Sequence, residues 1–307
     1  MTSRSWGASA AAVAALTLAG WGCAGARPER AAAGTTATAV EPPRVGLALG
    51  GGGARGFAEI GVLRVLEQER VPIDVVVGTS VGSLIGALYA DSGKVIDLEF
   101  IALGIEEEDI FDRSLLSFFS GGLVKGERLE HFLEANLRHR TIEEMAVRFA
   151  AVAVDLKSGQ AVVFDHGPVA PAVHASCAIP GVFVPVEIDG VTYVDGGVAD
   201  PVPAAAARRL GADVVIAVSI PAAVPERAPG NPIQVAMRAS AITAAQIARL
   251  RAAEADVVIA PEVGDVGYSD FTQKRRLVDA GIAAAEAAMP AIRAAIASRT
   301  RTAPAGR

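Results

Sequence analysis

RVGLALGGGGARG (residues 44–56) and VVVGTSVG (residues 75–82) are the two segments that decide the fold. Each begins as a short apolar strand and ends in a glycine-containing turn. Between them, Ile60, Leu63 and Leu66 recur at helical spacing in a pattern that ends at Arg70. A strand, a glycine loop, a helix and a second strand form a βαβ unit, so we expect two parallel strands joined by a right-handed crossover.

The alternation of strands and helices continues toward the C-terminus, which predicts the α/β class. The strongest hairpin signal is Asp189-Gly190, between predicted strands at 186–188 and 191–194. One domain is predicted over residues 44–296, followed by a disordered tail at 297–307. Further strands are predicted at 149–156, 161–164, 213–219 and 257–259, and further helices at 81–90, 203–210, 239–254 and 272–288.

The composition limits the classes of function. Hydrophobic residues make up 51% of the chain but aromatic residues only 5%, so the core is built mainly from Ala, Val, Leu and Ile. The formal net charge is −6 and no cluster of Lys and Arg is present. A general affinity for nucleic acids is therefore not expected.

The first 26 residues have the layout of a secretory signal. Arg4 precedes an apolar stretch at 8–18 that is too short to span a bilayer as a stable helix. Two cleavage sites compete. In the favoured one, Cys23 is the lipid-modified first residue of a lipoprotein, although Gly20-Trp21-Gly22 departs from the usual Leu-Ala-Gly. In the other, Ala24-Gly25-Ala26 is an ordinary cleavage site. Both predict an exported protein of the cell envelope.

Residues 27–43, rich in Ala, Thr and Pro, are predicted to be a flexible tether after this signal. The chain has two cysteines, Cys23 and Cys177. A disulfide between them would tie the processed N-terminus to the domain interior, so none is expected. Cys177 is interpreted as a small buried residue.

The glycine loop, residues 50–56, permits three interpretations. Gly51, Gly53 and Gly56 match the G-x-G-x-x-G dinucleotide-binding pattern, with Asp74 as a candidate ribose ligand. However, Asp74 precedes the second strand, whereas the ribose-binding acid should end it. Alternatively, the amides of the loop form an oxyanion hole. The loop can also be a tight turn without a further role, and the loop alone does not decide among these.

Gly78-Thr79-Ser80-Val81-Gly82 has the form of a nucleophile elbow, because it follows an apolar strand and precedes a helix. The turn is so sharp that the residues two before and two after the nucleophile must lack bulk. A G-x-S-x-G pattern also occurs where a serine merely caps a helix. The strand, the helix and the upstream glycine loop favour the catalytic interpretation, with Ser80 as nucleophile.

The base that would activate Ser80 is less evident from the sequence. None of the histidines follows a late strand, where an α/β-hydrolase fold places its base, so an acid–histidine triad is not favoured. Asp195, in Asp195-Gly196-Gly197, ends the predicted strand at 191–194 and offers a carboxylate instead, but the same residues also suit an ordinary turn. The histidines of the chain are His131, His139, His166 and His174.

Taken in order, the glycine loop with Arg55, the G-T-S-x-G motif and the D-G-G motif resemble the patatin-like phospholipase family. The likeness extends through residues 153–156, 175–183 and 201–203, and it is greatest to the bacterial and neuropathy-target-esterase-like branch. The resemblance implies a three-layer α/β/α fold with a mainly parallel central sheet. It also implies a serine acyl hydrolase acting on lipid esters, which needs no metal or organic cofactor and works at a membrane surface.

The resemblance carries over residue by residue. It implies a catalytic dyad of Ser80 and Asp195, which would form an acyl-enzyme. Asp200 stands where relatives often carry Asn, so no role is assigned to it. The resemblance further implies an oxyanion hole at Gly51, Gly52, Gly53, Ala54 and Arg55, and motif glycines at Gly56, Gly78, Gly82, Gly196 and Gly197.

Two other functions remain open at this point, a dinucleotide-binding protein and a non-catalytic envelope protein on the same fold. The apolar residues at 110–111 and 115–119 form either a lipid-facing cover over the site or an ordinary buried helix, and the sequence favours neither.

Overall fold

The computed structural model describes residues 40–110, 125–220, 230–299 and 301–302. The predicted signal with Cys23 and most of the predicted tether, 27–43, lie outside the described residues. So do residues 111 and 115–119 of the predicted cover and half of the predicted tail, 297–307.

A mixed eight-stranded sheet forms the centre of the described domain. Strands β4, β3, β2, β8 and β9 lie side by side in that order and all run parallel. Strands β5 and β7 are antiparallel to β4, and β6 forms the predicted hairpin with β7. The strands are β2 Val45–Leu49, β3 Val75–Thr79, β4 Arg148–Asp155, β5 Ala161–Phe164, β6 Val186–Ile188, β7 Val191–Asp195, β8 Val214–Val218 and β9 Val257–Ile259. A separate antiparallel pair joins β1, Val40–Glu41, to β10, Arg301–Thr302.

Most helices match the sequence pattern, but two extend further than predicted. The helix predicted at 239–254 begins at Pro232, because Asn231 caps it through Gln234 N–H at 2.9 Å and proline suits the first turn. The helix predicted to end at 288 continues through Pro290 to Ser298, since Ile292 still packs into the core. The helices are α1 Phe57–Gln68, α2 Val81–Ser92, α3 Val95–Ala102, α4 Glu107–Ile110, α5 Glu127–Asn136, α6 Val169–Cys177, α7 Ala204–Arg209, α8 Pro232–Ala252 and α9 Lys274–Ser298.

Both faces of the sheet are covered, as the alternation along β3 shows. Val76 faces a large apolar cluster shared with α1, α2, α6 and α9. Val75 and Val77 face a smaller cluster formed with the alanines of α7. Successive residues of a strand point to opposite faces, so the sheet is the middle of three layers. The predicted three-layer α/β/α fold with a mainly parallel sheet is confirmed.

The segment Phe271–Ser298, which includes α9, is long and apolar enough to cross a membrane by length and composition alone. The close packing of this helix against α1 shows instead that it is part of the domain. A Cβ on Gly281 of α9 would lie 1.8 Å from the Ala58 carbonyl oxygen, and one on Gly61 of α1 would lie 2.0 Å from that of Val278. The two helices approach so closely only because both positions are glycine, so α9 is a packed helix of this domain.

Candidate active site

Ser80 lies in the turn between β3 and α2 with a strained backbone, φ 55° and ψ −129°. A non-glycine residue rarely adopts a positive φ, and such strain concentrates at functional sites. The flanking glycines make the turn possible. A Cβ on Gly78 would lie 2.2 Å from the Gly82 oxygen, and a Cβ on Gly82 would lie 2.4 Å from the Leu49 oxygen. The predicted strand-to-helix turn is thus present in the structure, and its two glycines are sterically required.

Hydrogen bonds from neighbouring elements fix this elbow. The Ser80 amide donates to Ser176 Oγ at 2.9 Å, and Ser176 in turn donates to the Val152 oxygen at 2.6 Å. Thr79 Oγ1 donates to the backbone oxygen of Asp200 at 2.8 Å. Sequence reasoning assigned no role to Ser176, which links α6 to both β3 and β4.

The pairing of β3 and β7 with β4 places Asp195 near Ser80. On one edge of β4, Thr79 of β3 pairs with Val152, and Asp195 of β7 pairs with the next residue, Ala153. The opposite edge is occupied by β5 over Ala151–Val154. Strands β3 and β7 therefore share one edge, run toward each other and end at the same point. Their C-terminal residues meet there, and this juxtaposition brings the two predicted site residues together.

The Asp195 carboxyl group is buried, with 5% of the residue exposed. Its Oδ1 accepts a hydrogen bond from Gly197 N–H at 2.7 Å, whereas Oδ2 has no hydrogen-bond partner of normal geometry in the described part of the chain. Burial raises the pKa of Asp195 from 3.8 to about 6, and the nearby Ser80 hydroxyl and the Gly197 amide oppose that rise. A carboxyl group with this pKa can exchange a proton near neutral pH.

The glycine loop lies directly beside the serine, since a Cβ on Gly51 would be 3.4 Å from Ser80 Cβ. Of the five residues predicted to form an oxyanion hole, two already use their amides. Gly51 N–H donates to the Pro201 oxygen at 3.0 Å, and Ala54 N–H donates to the Tyr268 oxygen at 2.7 Å. The Gly52 and Gly53 amides donate to no other described residue. The Gly51 and Ala54 amides are therefore removed from the predicted oxyanion hole, because an amide that already donates to a carbonyl of the protein cannot donate equally well to an oxyanion.

Other residues hold this loop in place. The buried Arg55 donates from Nε to the Gly52 oxygen at 3.1 Å. A Cβ on Gly56 would lie 2.5 Å from Val81 Cγ1, so this motif glycine allows the loop to pack on the start of α2. A Cβ on Gly196, after β7, would lie 2.2 Å from the Val152 oxygen. Small residues are thus required wherever the three motifs meet.

Asp74 lies at the wrong end of the sheet for a nucleotide ligand. Its Oδ2 accepts from Val45 N–H at 2.7 Å, and its own N–H donates to the Val45 oxygen at 2.8 Å. These contacts tie the N-terminal ends of β2 and β3, whereas the glycine loop follows the C-terminal end of β2. Asp74 therefore cannot contact the ribose of a ligand bound at the loop.

The four histidines lie in the described residues, and none lines the pocket at Ser80. Nδ1 of His174 is 2.6 Å from Glu130, and Nδ1 of His139, which follows α5, is 3.0 Å from Asp91. His166 contacts Asp165 on the surface. Each of these three imidazole rings contacts a carboxylate. Among the described residues, no group of three or more His, Cys, Asp or Glu side chains is arranged to hold a metal ion.

An apolar pocket opens beside Ser80. Burial raises the pKa of the Cys177 thiol on its wall, so Cys177 behaves as the small apolar residue expected from the sequence. Tyr268, in the loop between β9 and α9, also lines the pocket, and no sequence motif pointed to it. The lining is formed by Gly53, Ala54, Phe57, Ser80, Val81, Leu84, Ile85, Ile105, Ile110, Leu129, Cys177, Ile179, Phe183, Tyr268 and Phe271. Such a wall suits a hydrocarbon chain.

Asp200, to which the sequence assigned no role, is a support of the elbow. Its backbone oxygen accepts the Thr79 hydroxyl, and its side chain is buried with Arg251 Nε at 3.8 Å. Burial raises the pKa of Asp200 to about 6, against the opposing charge of Arg251. The residue is held by α8 and does not line the pocket.

Residues 47–208, more than half of the chain, match the family model described as patatin-like phospholipase. The chain therefore belongs to the patatin-like phospholipase family, and the resemblance seen in the motifs is confirmed. Strand β2, the glycine loop, the elbow and Asp195 all lie within the matched region.

Similar proteins include members named after neuropathy target esterase (NTE). An NTE family protein of Mycobacterium tuberculosis is 37% identical over 178 residues, which cover 58% of this chain and 49% of that protein. The lysophospholipase NTE1 of Phaeosphaeria nodorum is 33% identical over 182 residues, or 57% of this chain and 12% of that protein. This chain thus spans about half the length of its mycobacterial relatives.

Among solved structures, VipD from Legionella pneumophila has a similar fold. Its TM-score is 0.52 at 16% sequence identity, and the match covers 86% of this chain and 68% of VipD. This similarity supports the fold only.

The strain at Ser80 gives a stability prediction. Replacing Ser80 by Gly removes the side chain that disfavours a positive φ, whereas Ala keeps the Cβ and the strain. We expect the Ser80→Gly protein to be about 1 kcal/mol more stable than the Ser80→Ala protein, measured as the free energy of unfolding in urea. Equal stability of the two variants would show that the elbow is relaxed in solution.

Proposed function

We propose that this protein is a serine acyl hydrolase that cleaves lipid acyl esters, with Ser80 as nucleophile and Asp195 as its base. The meeting of β3 and β7 on one edge of β4 carries this proposal, because it brings a strained serine and a buried carboxylate together. An apolar pocket beside the serine supports it.

The reaction begins with proton transfer from Ser80 to Asp195, whose buried Oδ2 has no hydrogen-bond partner of normal geometry among the described residues. Ser80 Oγ forms a bond to the ester carbonyl carbon, and the carbonyl oxygen becomes an oxyanion. Collapse of this intermediate breaks the bond to the leaving alcohol, which takes the proton from Asp195 and leaves an acyl-enzyme. A water molecule then gives a proton to Asp195 and attacks the carbonyl carbon of the acyl-enzyme. The bond from this carbon to Ser80 Oγ breaks, the fatty acid is released, and the proton on Asp195 returns to Ser80.

Electrostatics makes an aspartate sufficient for this chemistry. Burial has raised its pKa to about 6, so it is a stronger base than a solvated carboxylate. The N-terminus of α2 begins at the next residue, Val81, and favours negative charge on Ser80. We assign the oxyanion to the amides of Gly52 and Gly53, and one such donor typically contributes about 3 kcal/mol to transition-state stabilisation.

The lipid nature of the substrate is argued from the pocket and the surface near it. The pocket wall beside Ser80 offers aliphatic and aromatic side chains to an acyl chain. On and just after α3, the exposed fractions of Ile96, Phe100 and Leu103 are 67%, 87% and 40%. Exposed apolar side chains close to the pocket residue Ile105 suit contact with a lipid surface. The lysophospholipase name of the Phaeosphaeria nodorum relative agrees with this substrate class.

Covalent labelling tests the proposal against the two other functions. We expect a fluorophosphonate probe to label the wild-type protein at Ser80 and the Ser80→Ala variant not at all. Asp195→Asn is expected to lower kcat/KM on acyl esters at least about 100-fold, because the neutral amide cannot accept the serine proton. An unlabelled wild-type protein, or full activity in either variant, would instead favour a binding or non-catalytic protein. Esters of varied head group and chain length would define the substrate.

The raised pKa of Asp195 sets the acid limb of the pH profile. The base must be ionised, so kcat/KM is expected to rise with pH through about 6 and to fall about tenfold per pH unit below it.

Ionisation of Asp195 also destabilises the fold, by about 3 kcal/mol above pH 6, because the native pKa lies above the unfolded value of 3.8. Asp195→Asn should therefore raise the free energy of unfolding at pH 8 and lose that advantage near pH 4.

We also propose an envelope location with a lipid on Cys23, which the sequence at 1–26 supports. Expression of the full chain in a bacterium with radiolabelled palmitate should label the wild-type protein and not the Cys23→Ser variant. Label on neither, with export retained, would instead support cleavage at Ala24-Gly25-Ala26. Recovery of both proteins in the cytoplasm would contradict export.

A further inference from the structure

Tyr268 joins the site from a part of the chain that no motif covered. It lies between β9 and α9, beyond the 47–208 region that matches the family model. The residue is 41% exposed, and it lines the pocket together with Ser80 and Cys177; its hydroxyl lies beside Ser80 and within reach of the Asp195 charge. The residue thus remains partly exposed to solvent, while its hydroxyl lies on the side of Ser80.

The rest of Tyr268 is held by contacts that do not involve the hydroxyl. Its backbone oxygen accepts Ala54 N–H at 2.7 Å. Its ring lies on Gly53, where a Cβ would be 2.5 Å from Cδ1, and the Arg55 guanidinium lies 5.5 Å from the ring centroid. These contacts lock the ring to the glycine loop, so the direction of the hydroxyl is set by the loop itself.

We propose, on the basis of the proposed function, that Tyr268 is a third catalytic residue. Its phenol hydroxyl donates a hydrogen bond to Ser80 Oγ and thereby directs the serine proton toward Oδ2 of Asp195. A serine hydroxyl has one proton to donate, and an ionised Asp195 can only accept. With Tyr268 as donor on one side and Asp195 as acceptor on the other, the hydroxyl has one favoured orientation, which is the one that proton transfer requires.

Tyr268 acts as a neutral donor and not as a base. Burial and the nearby Asp195 charge raise the pKa of the phenol, with smaller opposing effects from Ser80 and Arg55. The phenol therefore keeps its proton through turnover. Asp195 alone takes the proton from Ser80 and gives it to the leaving alcohol, so the proton balance of the two half-reactions is unchanged.

Tyr268→Phe isolates the hydroxyl, since phenylalanine keeps the ring contacts and the backbone carbonyl. We expect this variant to retain the wild-type Tm but to lose about 10- to 100-fold in both fluorophosphonate labelling rate and kcat/KM, as for loss of one donor at a reacting atom. Tyr89→Phe is the matched control, because it removes a phenol hydroxyl from a tyrosine of α2 that does not line the pocket. It is expected to keep wild-type rates.

A second measurement does not depend on the folding of the Phe variant. Incorporating 3-fluorotyrosine at position 268 keeps the shape and the donor but makes the phenol more acidic. Activity and labelling at neutral pH should then stay near wild type, because the hydrogen-bond donor is kept. Rescue by this donor-keeping residue, beside the loss in Tyr268→Phe, assigns the effect to the hydroxyl.

The outcomes separate the two proposals. Normal labelling and turnover by Tyr268→Phe, in a wild-type enzyme that is itself labelled at Ser80, would overturn the role of Tyr268 and leave the proposed function intact. A loss in the fluorinated protein as large as that in Tyr268→Phe would overturn that role as well. Failure of the wild-type protein to label or turn over would overturn the proposed function, and the role of Tyr268 with it.

Discussion

The site depends on the way one edge of β4 is divided. Val152 pairs with the last residue of β3, and Ala153 pairs with the last residue of β7. Because β5 occupies the other edge, the two strands must meet end to end. Each strand delivers one side chain at this point, Ser80 just after β3 and Asp195 at the end of β7. The proximity of these two side chains thus rests on ordinary backbone pairing, which is far more rigid than a contact between loops.

This arrangement has an energetic cost that the core must offset. Ser80 keeps a positive φ, and Asp195 is buried in a place where ionisation is unfavourable. Both features oppose folding, and strain of this kind is typical of functional sites. The surrounding structure keeps them in place through buried hydrogen bonds, such as those of Ser176, and through close packing of glycines against backbone.

The sequence predicted the features that arise from local chemistry. The elbow at Ser80 follows from a strand, two glycines and a helix in succession, and every one of them is within a few residues. Asp195 needed the family resemblance, because its proximity to Ser80 is created by pairing with β4, which no local pattern encodes. For the same reason the sequence could not show that two of the five amides predicted for the oxyanion hole already have other acceptors. The carbonyls of Pro201 and Tyr268 that occupy the Gly51 and Ala54 amides come from distant parts of the chain. Tyr268 itself lies in a loop with no motif at all.

The region that carries the family signature is not a self-sufficient folding unit. Strand β2, which leads into the glycine loop, pairs along its whole length with β8, and β8 begins after residue 208. Gly50 N–H donates to Val218 of β8, and Ala54 N–H donates to Tyr268. A protein cut down to the matched region would therefore present the unpaired edge of a buried strand to solvent, which is an aggregation hazard. The C-terminal third of the chain, although it lacks a recognisable motif, therefore belongs to the same folding unit as Ser80.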